Sequence, residues 1–186
     1  MIRLITIHPL TASDVDSANL VLETAIRGAF QDEGLDTLHD DFWNEVNDKK
    51  RLLQMVLQQS HNQDEPMFFL LAKREDTVVG TISFAPCSEL IREGTNQELA
   101  DIGELGTLYI LPGLQGQGIG SALIQALIHE IQRRGLEKFC LDSGYKNAQQ
   151  RWKRKFGKPH TVLQDHWGEG TDHMIWLCDV KDFAAK

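Results

Sequence analysis

Leu108-Tyr109-Ile110-Leu111-Pro112-Gly113-Leu114-Gln115-Gly116-Gln117-Gly118-Ile119-Gly120-Ser121 joins an apolar, β-prone run to a proline, then to glycines at every second position. A segment of helical periodicity follows, so the order predicts strand, turn and helix. Glycine at 116, 118 and 120 lets the backbone pass close to a ligand and adopt positive φ without a Cβ clash. Several N–H groups can then converge on one anion. The helix adds its positive dipole end and its unpaired first amides. The stretch predicts a phosphate cradle, with a diphosphate-bearing cofactor as its natural occupant. Downstream, Ile119, Ala122, Leu123, Ala126, Leu127 and Ile131 recur at i, i+3, i+4 and i+7, giving one broad apolar face, and Gly135 supplies the stop.

Outward from this stretch the chain reads as short alternating elements. Arg3 to His8 alternates as a first strand that Pro9 ends. Thr11 or Ser13 can cap a helix running to about Phe30, and a second helix covers Asp41 to Gln59. His61 to Pro66 is a polar loop. Met67 to Lys73 and Val78 to Ala85 flank Arg74-Glu75-Asp76-Thr77 as a β-hairpin. Cys87 to Asn96 carries no clear period. Ile102 to Leu111 is the fourth strand, Lys138 to Leu141 the fifth, and Asn147 to Phe156 a helix broken by Gly157-Lys158-Pro159. Two last strands, Thr161 to Trp167 and His173 to Asp179, are separated by Gly168-Glu169-Gly170. The expectation is an α+β fold: a mixed, mostly antiparallel sheet of about seven strands flanked by about four helices.

The 186 residues, 41% hydrophobic, fit a single domain spanning residues 1–186 with a core of ordinary size. The longest apolar run, Met67 to Ala72, is too short to cross a bilayer, and Met1-Ile2-Arg3-Leu4 lacks a signal-peptide core. A cytoplasmic protein with no membrane partner is expected. Cys87, Cys140 and Cys178 are odd in number and widely spaced, predicting buried thiols rather than disulfides. A formal charge of −8 argues against a nucleic-acid partner. Trp167, Met174 and Trp176 on the last strands offer a surface for a homodimer.

The string from Leu108 to Gly120 resembles the acyl-CoA-binding motif of the GNAT superfamily of N-acetyltransferases, with Pro112 at the usual proline and Gln115 at the Gln/Arg position. The predicted element order is similar too. The resemblance implies acetyl-CoA as cosubstrate and an amine of a small molecule or peptide as acceptor. It places acyl-CoA in a splay between the fourth and fifth strands, its diphosphate on the amides of Gln115, Gly116, Gln117, Gly118, Ile119, Gly120 and Ser121. The pantetheine arm would follow Leu108, Tyr109 and Ile110, with the Ile110 N–H facing the thioester carbonyl. Asn147 resembles the family's cofactor-contacting asparagine.

An ammonium cannot attack, so a base must first take its proton. Glu104 is the candidate: it lies six residues before Ile110 and, in an unbulged strand, shares a face with Leu108 and Ile110. A bulge would shift that parity. Many GNAT members carry a tyrosine acid on the helix after the fifth strand, where this chain reads Gln150-Arg151-Trp152-Lys153-Arg154. Only Tyr109 and Tyr145 exist in the chain, making Tyr145 the candidate acid, with solvent as the alternative. Lys146, Arg151, Lys153, Arg154, Lys155 and Lys158 form a basic run suited to phosphate or to a solvated face. Asp32, Glu33, Asp36, Asp40, Asp41, Glu45 and Asp48 form an acidic run, either a solvated face or a rim that draws a cationic amine.

Three rivals remain. Gly116-Gln117-Gly118-Ile119-Gly120-Ser121 nearly satisfies a dinucleotide fingerprint, with Asp142 placed to bind ribose in an NAD-dependent oxidoreductase. The third glycine is replaced by Ser121, and too few residues follow for a doubly wound sheet. A non-catalytic acyl-CoA sensor is the second. His160, Asp165, His166, Asp172 and His173 suggest metal only loosely, their spacing matching no standard ligand set, so no metal is expected.

Overall fold

The computed structural model describes residues 5–59 and 67–183. Arg3 and Leu4 of the expected first strand, and the polar loop from His61 to Pro66, lie outside the described residues. Seven strands form one sheet: β1 Ile5–Pro9, β2 Phe68–Arg74, β3 Thr77–Pro86, β4 Gly103–Ile110, β5 Lys138–Ser143, β6 Thr161–Leu163 and β7 His173–Asp179. They lie in the order β1-β2-β3-β4-β5-β7-β6. All neighbours are antiparallel except β4 and β5. That topology is not doubly wound, which removes the dinucleotide reading of the glycine loop.

Five α-helices accompany the sheet, one more than expected: α1 Val15–Asp32, α2 His39–Gln58, α3 Glu89–Gly94, α4 Ile119–Arg133 and α5 Lys146–Phe156. The addition, α3, is the aperiodic stretch after Cys87. Ser88 caps it by accepting from the Ile91 N–H, and six residues are too few to establish a helical period in sequence. The sixth strand is shorter than expected, because residues 164–170 fold into turns after Leu163. Thr11 begins the first helical segment, a short 3₁₀ turn at Ala12–Asp14. Its N–H and hydroxyl both donate to Asp14, whose other oxygen pairs with Lys73 of β2 at 2.6 Å.

Two apolar layers sandwich the sheet. On one face α4 buries Ile119, Leu123, Ile124, Leu127, Ile128 and Ile131 against β2 to β5, each such burial stabilising by about 1.5–3 kcal/mol. Gly80 of β3 permits that approach: a Cβ there would lie 2.8 Å from Ile110 Cδ1 and 3.1 Å from Leu123 Cδ1. On the other face α1 and α2 pack Leu22, Ile26, Phe30, Phe42 and Val46 over Phe69 and Leu71. Met174 and Trp176 belong to the α4-side core, at 9% and 1% exposure. Only Trp167 of the expected dimer surface is exposed, so those three residues do not form a common outer face.

One irregularity in β4 organises the centre of the sheet. Ser83 pairs with Gly106 and Thr81 with Tyr109, so Ile82 faces two residues, Thr107 and Leu108. Thr107 takes φ +53°, and two buried hydroxyls hold it: Thr81 donates to its carbonyl and Ser83 to its hydroxyl, each at 2.8 Å. Replacing Thr107 with Val strands the buried Ser83 hydroxyl. The expected loss is about 1–3 kcal/mol, read as a lower urea midpoint at unchanged m-value.

Candidate active site

β4 and β5 run parallel but share one ladder pair among the described residues, Glu104 with Cys140. Beyond it the strands diverge, opening a splay toward the C-terminal end of β4. The Leu111 N–H donates to the Val79 carbonyl at 3.0 Å. Antiparallel alternation therefore turns the neighbouring Ile110 N–H away from β3, toward the opening. The Thr107 carbonyl points at Thr81, and across a trans peptide the following N–H, that of Leu108, points the opposite way. The Leu108 and Ile110 amides, two residues apart, thus both face the splay, as strand alternation requires.

The bulge also changes which side chains share a face. Leu105, Leu108 and Ile110 all pack on the α4 side, whereas Tyr109 packs on the α1–α2 side. Glu104, one residue before Leu105, lies on the face opposite α4. The unbulged alignment of Glu104 with Leu108 and Ile110 therefore does not hold. Glu104 shares its face with Tyr109 instead.

The glycine loop leads into α4 as anticipated. Gly116 and Gly118 take φ +76° and +83°, and Gly118 caps the helix, while Gly120 is already helical. A Cβ at 116, 118 or 120 would meet nothing within 4 Å, so the backbone is open on that side. The first amides of α4 have no partner within the helix. These donors suit a diphosphate. Ile119 is 2% exposed and packed in the core, so it can contribute only its N–H. Gln115 and Ser121 are exposed, and Gln117 braces the loop by donating to the Gly113 carbonyl and accepting from Arg74 at 2.8 Å.

Glu104 accepts from the Ser88 N–H at 2.8 Å. Burial, then the charge of Asp142, push its carboxyl up to about 7, against the Ser88 amide and Lys49. Asp142 accepts from His173 at 3.0 Å, and His173 accepts from the Trp167 indole at 3.0 Å. Both tyrosines converge on Glu45 of α2: Tyr109 donates to one carboxylate oxygen at 2.5 Å and Tyr145 to the other. Burial and the Glu45 charge hold both phenols well above the ordinary tyrosine value.

Other expected residues are placed differently. Asn147 is exposed near the start of α5, where its N–H donates to Glu33 at 3.0 Å. Trp152 is half-buried against Phe156 on the core. The basic residues of α5 face outward. The acidic run divides into exposed Asp32, Asp36, Asp40 and Asp41, a surface pair between Asp48 and Arg51, and the inward Glu33 and Glu45. Cys140 is buried, and burial raises its thiol far above the usual range, which suits packing rather than nucleophilic attack. Glu45 was visible in sequence only as one acid of a run, and His173 only as one histidine of a loose cluster.

This is an α+β acyl-transfer architecture, with a glycine-loop anion cradle beside a splayed strand pair. The acetyltransferase (GNAT) family model matches residues 32–157, and the chain belongs to that family of acyltransferases. A GNAT-family structure from Desulfovibrio desulfuricans is similar at TM-score 0.69 and 19% identity, covering 95% of this chain and 99% of its own. PaiA N-acetyltransferase from Thermoplasma acidophilum, in complex with coenzyme A, is similar at 0.64 and 16%, covering 95% and 99%. YncA from Salmonella typhimurium, with its cofactor acetyl-CoA, is similar at 0.63 and 18%, covering 98% of each chain. No curated protein sequence matches significantly. No helix among the described residues is long and apolar enough to cross a membrane.

The Glu45 cluster gives a direct test of the geometry. Glu45→Ala leaves two phenol donors without their acceptor, and a loss of at least about 1–3 kcal/mol is expected. Glu45→Gln, which keeps a carbonyl acceptor for one phenol, should lose less; equal urea midpoints for both variants would contradict the shared-acceptor arrangement.

Proposed function

We propose that the protein transfers the acetyl group of acetyl-CoA to a primary amine of a small molecule or peptide, by direct attack within a ternary complex. The observation that carries this reading is the bulge: beyond it the Leu108 and Ile110 amides face the splay, and it turns Glu104 onto the opposite face from α4, where an acceptor can reach it. Acetyl-CoA supplies the activated thioester. The loop amides from Gln115 to Ser121 hold its diphosphate, and Leu108 to Ile110 guide the pantetheine arm, with Asn147 at its edge.

Glu104 takes the proton of the attacking ammonium, directly or through water. Six residues of strand span roughly 20 Å, too far for Glu104 and the Ile110 amide to serve one reacting carbon. The Leu108 amide, two residues nearer, is the better oxyanion donor, and Ile110 is left to bind the arm. One preorganised donor of this kind lowers the barrier by about 2.7–4 kcal/mol. Tyr145, bonded to Glu45, fixes the wall of the site rather than passing a proton, and the departing thiolate is protonated by solvent. Glu45, Glu104 and Asp142 lining one face favour a cationic acceptor, and exposed Asp40 and Asp41 would attract it. Three buried free thiols fit a reducing, cytoplasmic setting.

Two experiments test this. Thermal shift with acetyl-CoA and with NAD(H), followed by thiol release over an amine panel, should give stabilisation by acetyl-CoA and turnover of at least one cationic amine. Binding without turnover on any amine would favour an acyl-CoA sensor. A base must be unprotonated to act, so kcat/KM should fall on the acid side, tenfold per pH unit below a midpoint near 7. Glu104→Gln should lower kcat by about 10²–10⁴ and remove that limb.

A further inference from the structure

Glu104 and Asp142 occupy neighbouring strands. Cys140 is the ladder partner of Glu104, and Asp142, two residues further along β5, presents its side chain to the same face. That face differs from the one taken by Phe139 and Leu141, which pack with α4. Two carboxylates are therefore held together where the strands begin to part. Such a pair is stable only if one member is fixed as the anion and the other is free to carry a proton.

The contacts of Asp142 decide which is which. A tryptophan indole nitrogen can only donate, so the Trp167 bond to His173 Nδ1 requires that nitrogen to carry no proton. The remaining ring proton lies on Nε2, which must donate to Asp142. Asp142 is an acceptor in this chain of bonds, and His173 cannot take a second proton on Nδ1 without breaking the indole contact. His173 is 5% exposed, whereas Trp167 is 59% exposed on the loop before β7. The loop is fixed locally: Asp165 accepts from the Gly170 N–H at 2.6 Å, and Asp172 accepts from the Asp165 N–H at 3.0 Å.

We propose that the Trp167–His173 pair holds Asp142 as a fixed anion beside Glu104, so that Asp142 tunes the basicity of Glu104 for acetyl transfer. Asp142 is a positioning and tuning residue and need not touch either substrate. The proposal rests on the reading of Glu104 as the base. The other groups facing Glu104 are the Ser88 amide before α3 and Lys49 of α2, both favouring its charged form. The Cys87 and Cys140 thiols nearby are pushed up by burial and stay uncharged. Facing Asp142 are His173 and, from β4, the Tyr109 phenol, whose proton is held by burial and by Glu45. The exposed His166 ring meets the Trp167 ring edge-on and lies tilted to His173, at 4.6 and 5.8 Å between centroids. None of these replaces the negative charge that Asp142 contributes.

The test follows the Glu104 carboxyl by carbon NMR in acetyl-CoA-free protein and, separately, the acid limb of kcat/KM. Wild type should titrate near 7. Asp142→Asn should lower the midpoint by about one pH unit, and the milder, surface-accessible Trp167→Phe should lower it by less, because His173 can then take a second proton and offset Asp142. An NMR midpoint that does not move in Asp142→Asn overturns the proposal, whatever the rates do. If Asp142→Asn fails to fold, an unmoved midpoint in Trp167→Phe overturns it. A midpoint that falls by NMR while the kinetic limb stays in place upholds the tuning and instead refutes Glu104 as the base.

Discussion

Thr107 is where the architecture and the chemistry meet. Its positive φ is unfavourable for a β-branched residue, and the hydroxyls of Thr81 and Ser83 hold it in place from the next strand. Without the bulge, β4 would keep its alternation and Glu104 would point at α4, into a layer of isoleucine and leucine with no room for a charge. With it, the strand presents apolar side chains to α4 at both ends. A carboxylate and a tyrosine appear on the other face. Local strain in one residue thus places Glu104, the proposed base, on the face opposite α4 while Leu108 and Ile110 keep theirs.

The face opposite α4 concentrates charge that a sheet surface under helices would ordinarily exclude. Glu104, Asp142 and Glu45 come from three separate elements and each is satisfied differently: by a backbone amide, by a histidine and by two phenols. A buried carboxylate with partners costs far less than one without. The arrangement also ties α2 to both lips of the splay, because Tyr109 lies on β4 and Tyr145 just after β5. A movement of α2 would have to break both phenol contacts at once, so the helix is coupled to both strands of the splay.

Much of this is legible in the sequence. The glycine loop and α4 are readable because φ freedom and a six-residue apolar stripe leave strong local marks, and the sheet because its strands are short apolar runs bounded by turn residues. What stayed hidden depends on register. The bulge falls on Thr107 and Leu108, neither of them glycine, so its register is not legible in the sequence, and simple parity puts Glu104 on the wrong face. Helix α3 was too short for a period. Glu45 stood among six other acids, and only the fold distinguishes it, since its partners lie 64 and 100 residues away. Asp142 stands out in sequence for its distance from the glycines, yet its partner is His173, reached only when β7 returns beside β5.

The missing tyrosine on α5 is resolved by the same packing. A phenol bonded to a carboxylate keeps its proton more tightly than a free one, and the structure gives Tyr145 that partner. Passing the proton to a thiolate, whose conjugate acid has a pKa of about 8.5, would be steeply uphill and would leave a phenolate facing Glu45. A thiolate can leave unprotonated near neutral pH, because it is a weak base. In the proposed reaction the barrier to be lowered is then addition to the carbonyl, and the roles proposed for the residues around the splay address that step: amides for the oxyanion and a carboxylate for the ammonium proton. A site built for that division of labour has no need of an acid on α5, and there the chain carries Trp152, packed against Phe156.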